Sequence, residues 1–217
     1  MFLLEKYKKV LKKNFFFRDM CNECFEEILN TYNWNVKNYE KGEINFDENI
    51  FHKDLNVVLS GGIKISKVLD NGTEILYDVV ASERCYGLAS LYTNMKMEAL
   101  QAEAMEKSLV FSIDAIEFQR LIRNNSILFN KFMEFQEYRL HFFVSRFENS
   151  YINNPYDKLI YYFNFLKKWN IYEITAKKTQ LALYLNIGRA SLYRELIKMK
   201  KEKLINIIEN KIILKKP

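Results

Sequence analysis

The spacing of apolar residues changes period twice along the chain. Residues 3–13 and 19–30 repeat apolar positions at helical spacing and predict two short amphipathic helices. From Asn33 the period drops to two. Residues 34–46 (WNVKNYEKGEINF) alternate, and 56–69 (NVVLSGGIKISKVL) are rich in strand formers. Residues 70–80 follow a turn signal at Asp70-Asn71-Gly72, and Gly61-Gly62 marks another tight bend. Residues 99–113 (ALQAEAMEKSLVFSI) read as one or two further strands, against the weak strand preference of Ala and Glu. Short strands separated by turns predict a small antiparallel roll or barrel.

At Asp114 the helical period returns. Residues 114–124 predict a short helix capped by Asp114, and 126–151 predict a long one with Ser126 as its cap. At 1.5 Å per residue the long helix spans about 38 Å. Its apolar residues, among them Leu128, Phe132, Phe135, Phe142 and Phe143, occupy more than one face. One face is therefore expected to pack within the chain. The other is expected to form a two-helix dimer seam, with Leu128, Phe132, Phe135 and Phe142 as the seam residues.

Asn153-Asn154-Pro155 ends this helix, because proline cannot continue the ladder and restrains the residue before it. A helix over 156–169, a short strand over 172–175 and a helix pair over 181–204 follow. Two strands around Glu209-Asn210-Lys211 complete a hairpin wing. The helix pair has the requirements of a helix-turn-helix: small Ala182 at the close approach, and Leu181, Leu185, Ile187, Leu192 and Leu196 facing inward. Asn186 stands at the turn, where a left-handed backbone must be tolerated. The second helix then presents Arg189, Ala190, Ser191, Tyr193, Arg194 and Lys198. Arginine there can read guanine bidentately, and hydroxyls can contact phosphate. Lys177, Lys178 and Thr179 open the preceding helix, where they can meet a nucleic-acid backbone.

Charge strengthens this reading. Residues 153–217 hold 14 Lys and Arg against 5 Asp and Glu, whereas residues 1–152 hold 19 against 22. A basic excess of nine on a small helix-turn-helix piece points to nucleic acid. The expected division is a β-roll domain with N-terminal helices over 1–124, a long helix over 125–152 and a DNA-binding domain over 153–217. About half of the 217 residues are hydrophobic, with six Gly and two Pro, which suits a well-packed chain. No apolar run approaches the ~20 residues of a membrane helix. The basic, apolar start reads as an amphipathic helix rather than a signal peptide, and a cytoplasmic protein is expected.

The order of parts resembles the Crp/Fnr family of bacterial transcription regulators. The residues that carry the resemblance are TAKKTQLALYLNIGRASLYREL (175–196), with VVLSGGIKIS (57–66), DNGTEILYDVV (70–80) and YGLASLY (86–92) in the roll. The resemblance implies an α+β fold. Its parts are a cyclic-nucleotide-binding-type antiparallel β-roll, a long dimerisation helix and a C-terminal winged helix-turn-helix. It implies a homodimer on a pseudo-palindromic double-stranded DNA site, with RNA polymerase as a further partner, and no membrane.

Two departures bear on mechanism. Family members often carry Glu directly after the first recognition arginine, where it helps read cytosine. Here that residue is Ala190, so a different site is expected. Members that bind a cyclic nucleotide pair Gly-Glu with a later Arg-Ser or Arg-Thr. Here the first pair is Gly87-Leu88, and the arginine position aligns best with Glu98. A carboxylate repels a phosphate and leucine cannot accept a ribose hydrogen bond. Gly87, Leu88, Ala89, Ser90, Met97, Glu98 and Ala99 thus define an effector pocket of unknown ligand, and cyclic nucleotides in the usual mode are not expected. The alternative is a small-molecule or redox sensing module that acts through a protein partner instead of DNA.

Other constellations point elsewhere less strongly. Cys21-Asn22-Glu23-Cys24 and Cys85 fall one short of a four-cysteine iron–sulfur set; reduced, buried or half-buried thiols are expected, with a cluster and a thiol redox switch as the alternatives. A thiol oxidoreductase would need a surrounding βαβ pattern that is missing. His52 and His141 have no metal-ligand spacing, and no nucleotide-loop or hydrolase motif is present. No enzyme, catalytic residue, metal or cofactor is expected.

Overall fold

The computed structural model describes residues 2–46, 53–88, 91–92, 100–174, 177–209 and 211–216; of residues 2–6 and 45–46 it describes the backbone only. The chain forms two compact units, Met1–Met133 and Glu134–Pro217.

The first unit opens with α1 (Phe2–Leu11) and α2 (Asn22–Thr31), close to the expected helices. Among the described residues eight strands follow: β1 (Trp34–Tyr39), β2 (Ile44–Phe46), β3 (Leu55–Ser60), β4 (Gly62–Val68), β5 (Glu74–Ala81), β6 (Cys85–Gly87), β7 (Gln101–Ala104) and β8 (Ser108–Ile113). They form two four-stranded sheets, ordered β1-β8-β3-β6 and β2-β7-β4-β5, with every pairing antiparallel. Tyr39, Val58, Val110 and Tyr86 from one sheet meet Ile63, Ile65, Val80, Ala102 and Ala104 from the other in a shared core. This is the expected roll.

The doubtful strand over Gln101–Ala104 shows why its composition works. Ala102 and Ala104 point into the core and are fully buried, while Gln101 and Glu103 point outward. Lys64 stands opposite Glu103 on β4 and bonds it at 2.9 Å, and bonds Glu74 on β5 at 2.7 Å. One ammonium thereby ties three strands together on the outer face.

The turn signals act as expected. Gly72 has φ +79, its amide bonds the Leu69 carbonyl, and Asn71 Oδ1 accepts from the Thr73 amide at 3.0 Å. At Gly61 (φ +83) the chain passes from one sheet to the other, and a Cβ there would lie 2.3 Å from Ser108 Oγ.

After the roll come α3 (Ala115–Asn124) and α4 (Ser126–Ser150). Asp114 caps α3 as expected, accepting from the Glu117 amide at 2.9 Å. The cap of α4 is Asn125 rather than Ser126: its Oδ1 accepts from the Leu128 amide at 3.0 Å. Phe118 on α3 meets Phe16 and Phe132 edge-on.

In the second unit the rest of α4 is followed by α5 (Pro155–Lys168), β9 (Glu173–Ile174), α6 (Lys178–Tyr184), α7 (Arg189–Lys201), β10 (Ile205–Ile208) and β11 (Lys211–Leu214). The break before α5 is capped by Asn154, whose Oδ1 accepts from the Tyr156 amide at 2.8 Å, with Pro155 in the first turn. The last two strands form the wing hairpin, and β9 adds a third antiparallel strand against β11. The unit is a winged helix-turn-helix.

The cysteines differ from expectation. Cys21 and Cys24 are exposed and joined as a disulfide, not reduced and buried. Cys21 is the cap of α2, and its sulfur accepts from the Cys24 amide at 3.1 Å. A capping turn draws residues three apart together, which places the Cα atoms 5.4 Å apart, within disulfide reach. Cys85 lies half-buried on β6, outside that disulfide.

Candidate nucleic-acid interface

The helix-turn-helix forms because its inward positions all find cover. Leu181, Ala182, Leu185, Ile187, Leu192 and Leu196 are each at most 7% exposed, as the spacing predicted, and Met199 joins them at 0%. Asn186 at the turn has φ +49, the left-handed backbone that asparagine tolerates. The Ile187 amide bonds the Ala182 carbonyl at 2.9 Å and closes the turn. On the other side α7 begins at Arg189, and its first bond runs from the Leu192 amide to the Gly188 carbonyl.

With Leu192, Leu196 and Met199 inward, the helical period decides what faces out. The outward ridge is Ala190, Arg194, Ile197 and Lys201, with Tyr193 beside it. Arg189 and Arg194 are exposed, as expected, and Arg194 Nε bonds the adjacent Glu195 carboxylate at 3.0 Å. Ser191 is half-buried on the flank. Lys198 is exposed, but its ammonium sits 4.5 Å from the centre of the Tyr156 ring. The Tyr156 hydroxyl donates to Glu202 at 2.8 Å, and that bond holds the phenol above its usual range. Lys198 is thus turned toward α5, at the edge of the ridge.

At the start of α6, Lys177 and Thr179 are exposed and Lys178 is half-buried. The Lys177 amide is held by Gln180 Oε1 at 3.0 Å. Ile197 and Lys201 were not singled out from the sequence. Ile197 repeats Ala190 seven residues later, but an isoleucine in an amphipathic helix is ordinarily counted with the core.

The residues expected in the effector pocket fall into two groups. Ala89, Ser90, Met97, Glu98 and Ala99 lie outside the described residues. Gly87 and Leu88 are described. Gly87 has φ +98, and a Cβ on it would lie 1.9 Å from the Asp54 carbonyl oxygen, so glycine is required by the pairing of β6 with β3. Leu88 is 1% exposed.

The four helix residues expected at a dimer seam are placed differently from that expectation. Leu128 and Phe132 are buried in the first unit, and Phe142 is buried in the second against Tyr138, Phe165 and Tyr184. Phe135 is half-buried. The apolar residues that α4 leaves exposed are instead Ile127 and Val144 and, along one stripe, Phe129, Met133, Leu140, Phe143 and Phe147, the last five between 40% and 64% exposed. Their spacing of four, seven, three and four residues is a heptad stripe.

Among the described residues no group of three or more His, Cys, Asp or Glu is placed to hold a metal ion. No helix of the described residues is long and apolar enough to cross a membrane.

Residues 36–125 match the family model described as the cyclic nucleotide-binding domain. Among solved structures the chain is similar to FixK2 from Bradyrhizobium japonicum. The identity is 13%, with a TM-score of 0.65 over 85% of this chain and 93% of that one. It is also similar to the catabolite activator protein of Thermus thermophilus, at 15% identity and a TM-score of 0.56 over 93% and 94% of the two chains. A third likeness is to a Eubacterium rectale protein assigned to the Crp/Fnr family, at 17% identity and a TM-score of 0.55 over 91% of each chain. At these identities the likeness concerns the fold. No curated protein matches the chain in sequence.

Proposed function

For a chain with the Crp/Fnr fold and a cyclic nucleotide-binding-type roll, we propose a homodimeric, sequence-specific DNA-binding transcription regulator. The observation that carries this reading is the face of α7. Arg189, Ala190, Tyr193, Arg194 and Lys201 project from a helix held by Leu192, Leu196 and Met199, in a domain with a basic excess of nine. In the major groove Arg189 and Arg194 bond base edges, while Lys177, Lys178 and Thr179 meet phosphates. The reading is nonenzymatic and places the protein in the cytoplasm, with RNA polymerase as its further partner.

The stripe of Phe129, Met133, Leu140, Phe143 and Phe147 supports a dimer through α4, because an exposed 4-3 repeat buries itself best against a second copy. The effector is not a cyclic nucleotide in the usual mode. Leu88 stands where a ribose-binding carboxylate is needed, and it is already buried in the protein. A ligand acts by shifting the spacing of the two recognition helices.

The test is selection of a random duplex pool by the purified, ligand-free protein at near-physiological salt. Enrichment of a palindrome, with affinity that falls as salt rises, is the expected result, since phosphate contacts release counterions. Flat salt dependence without enrichment overturns the DNA reading and favours a sensor that acts through a protein partner.

A further inference from the structure

The ridge that α7 turns outward is not uniformly polar. Ile197 is 55% exposed and Tyr193 is 44% exposed, and Ala190 is exposed one turn before Tyr193 and two turns before Ile197. Around them stand Arg194, Lys198, Lys200 and Lys201. Single exposed apolar residues are ordinary on a protein surface and need no explanation. Here, however, the apolar positions alternate with basic ones along the ridge of one helix: Ala190, Arg194, Ile197, Lys201. A partner for this ridge must be anionic and must offer apolar contacts between its polar ones.

The major groove of DNA meets both conditions. Its edges are hydrogen-bond donors and acceptors, with one apolar group among them, the C5 methyl of thymine. Placed against any other edge, Ile197 strips water from polar atoms and returns no hydrogen bond, which is costly. Placed against a methyl, it buries apolar area on both sides. Ala190 makes the same choice, since it has no group with which to accept from cytosine.

We propose that Ile197, together with Ala190 and Tyr193, selects thymine by contact with its methyl group, on either side of the base that Arg194 reads. This rests on the DNA-binding reading above. Ala190 and Ile197 are seven residues apart, about 10.5 Å along the helix. At about 3.4 Å per base pair, the two methyl contacts fall about three base pairs apart in each half-site.

The experiment uses the full-length protein and the duplex that it selects from a random pool. Each thymine of one half-site is replaced in turn by deoxyuridine, which removes the methyl and leaves pairing intact. Wild-type affinity is expected to fall about fourfold at each contacted position, the worth of burying one methyl. The Ile197→Ala variant changes an exposed residue and is expected to stay folded by circular dichroism. It is expected to lose sensitivity to deoxyuridine at one position and to keep the wild-type salt slope. Wild-type binding that ignores every replacement overturns the proposal, as does an Ile197→Ala variant as sensitive as wild type. A protein that selects no duplex and binds DNA without salt dependence overturns the DNA reading and this proposal with it, whereas a selected duplex insensitive to uracil overturns only this one.

Discussion

Lys158 Nζ donates to the carbonyl oxygen of Leu185 at 3.2 Å, deep in the C-terminal unit. Lysine is seldom buried, yet Lys158 is 7% exposed. Leu185 ends α6, where helix carbonyls lack backbone partners and the helix dipole is negative, so an ammonium there is well placed. Asn149, in the last turn of α4, donates to the Lys158 carbonyl at 2.9 Å. Two buried hydrogen bonds thus lead from the end of α4, through α5, to the residue before the helix-turn-helix turn.

Lys158→Met tests that link. It keeps most of the side-chain volume but leaves the Leu185 carbonyl without its donor. The unmet carbonyl costs about 1–3 kcal/mol, and removing a desolvated ammonium offsets part of it. A net destabilisation of about 1 kcal/mol is expected in urea denaturation. Affinity for the selected duplex should fall further than this loss of folded protein explains, because the turn sets the direction of α7.

The α4 stripe separates oligomer state from folding. Leu140→Glu with Phe147→Glu alters two residues that are each 64% exposed. Sedimentation should show a folded monomer in place of the proposed dimer. Phe142→Ala should leave the oligomer intact and destabilise the second unit by about 3–5 kcal/mol, the cost of truncating a buried phenylalanine. A double variant that remains dimeric moves the interface elsewhere.

Acid should loosen the roll through Glu74. The hydrogen bond from Lys64 holds its carboxyl below the usual range, against the opposing effect of burial. Because the folded value is depressed, the stabilisation is full above the unfolded value, about 4.3. It is lost as pH falls through the folded value. Thermal melts of the wild type should therefore weaken below about pH 4. Lys64→Met should flatten that part of the profile, and an unchanged acid limb argues that other carboxylates govern it.

Base reading and phosphate binding should separate by their salt dependence. Arg194→Ala is expected to cost about 1–3 kcal/mol on the selected duplex and to relax preference at one base pair. Lys177→Ala is expected to weaken all duplexes alike and to lower the salt slope by about 1. A uniform loss from Arg194→Ala would assign that residue to the backbone instead.

How much was legible in the chain differs from part to part. The inward residues of the helix-turn-helix, its left-handed Asn186, the turn at Asn71-Gly72 and the cap at Asp114 could all be named beforehand. These features are set by local steric rules and by short periods, which neighbouring residues suffice to express. Cys21 and Cys24 are local too. A capping turn in that place brings their sulfurs together, but spacing alone did not say where the helix would begin.

The faces of α4 were beyond local reading. Apolar residues surround that helix, so Leu128, Phe132 and Phe142 could not be told from Phe129, Leu140 and Phe147 until the elements packed against it were in place. The same holds for Lys158, whose partner lies 27 residues away, and for Ile197, whose exposure depends on which side of α7 the core covers. Local sequence prescribes which elements form and where the chain turns, because those follow from backbone sterics and periodic burial. Which apolar and charged side chains are left facing outward is a choice among faces of similar composition. Only the packing of distant segments against one another makes it.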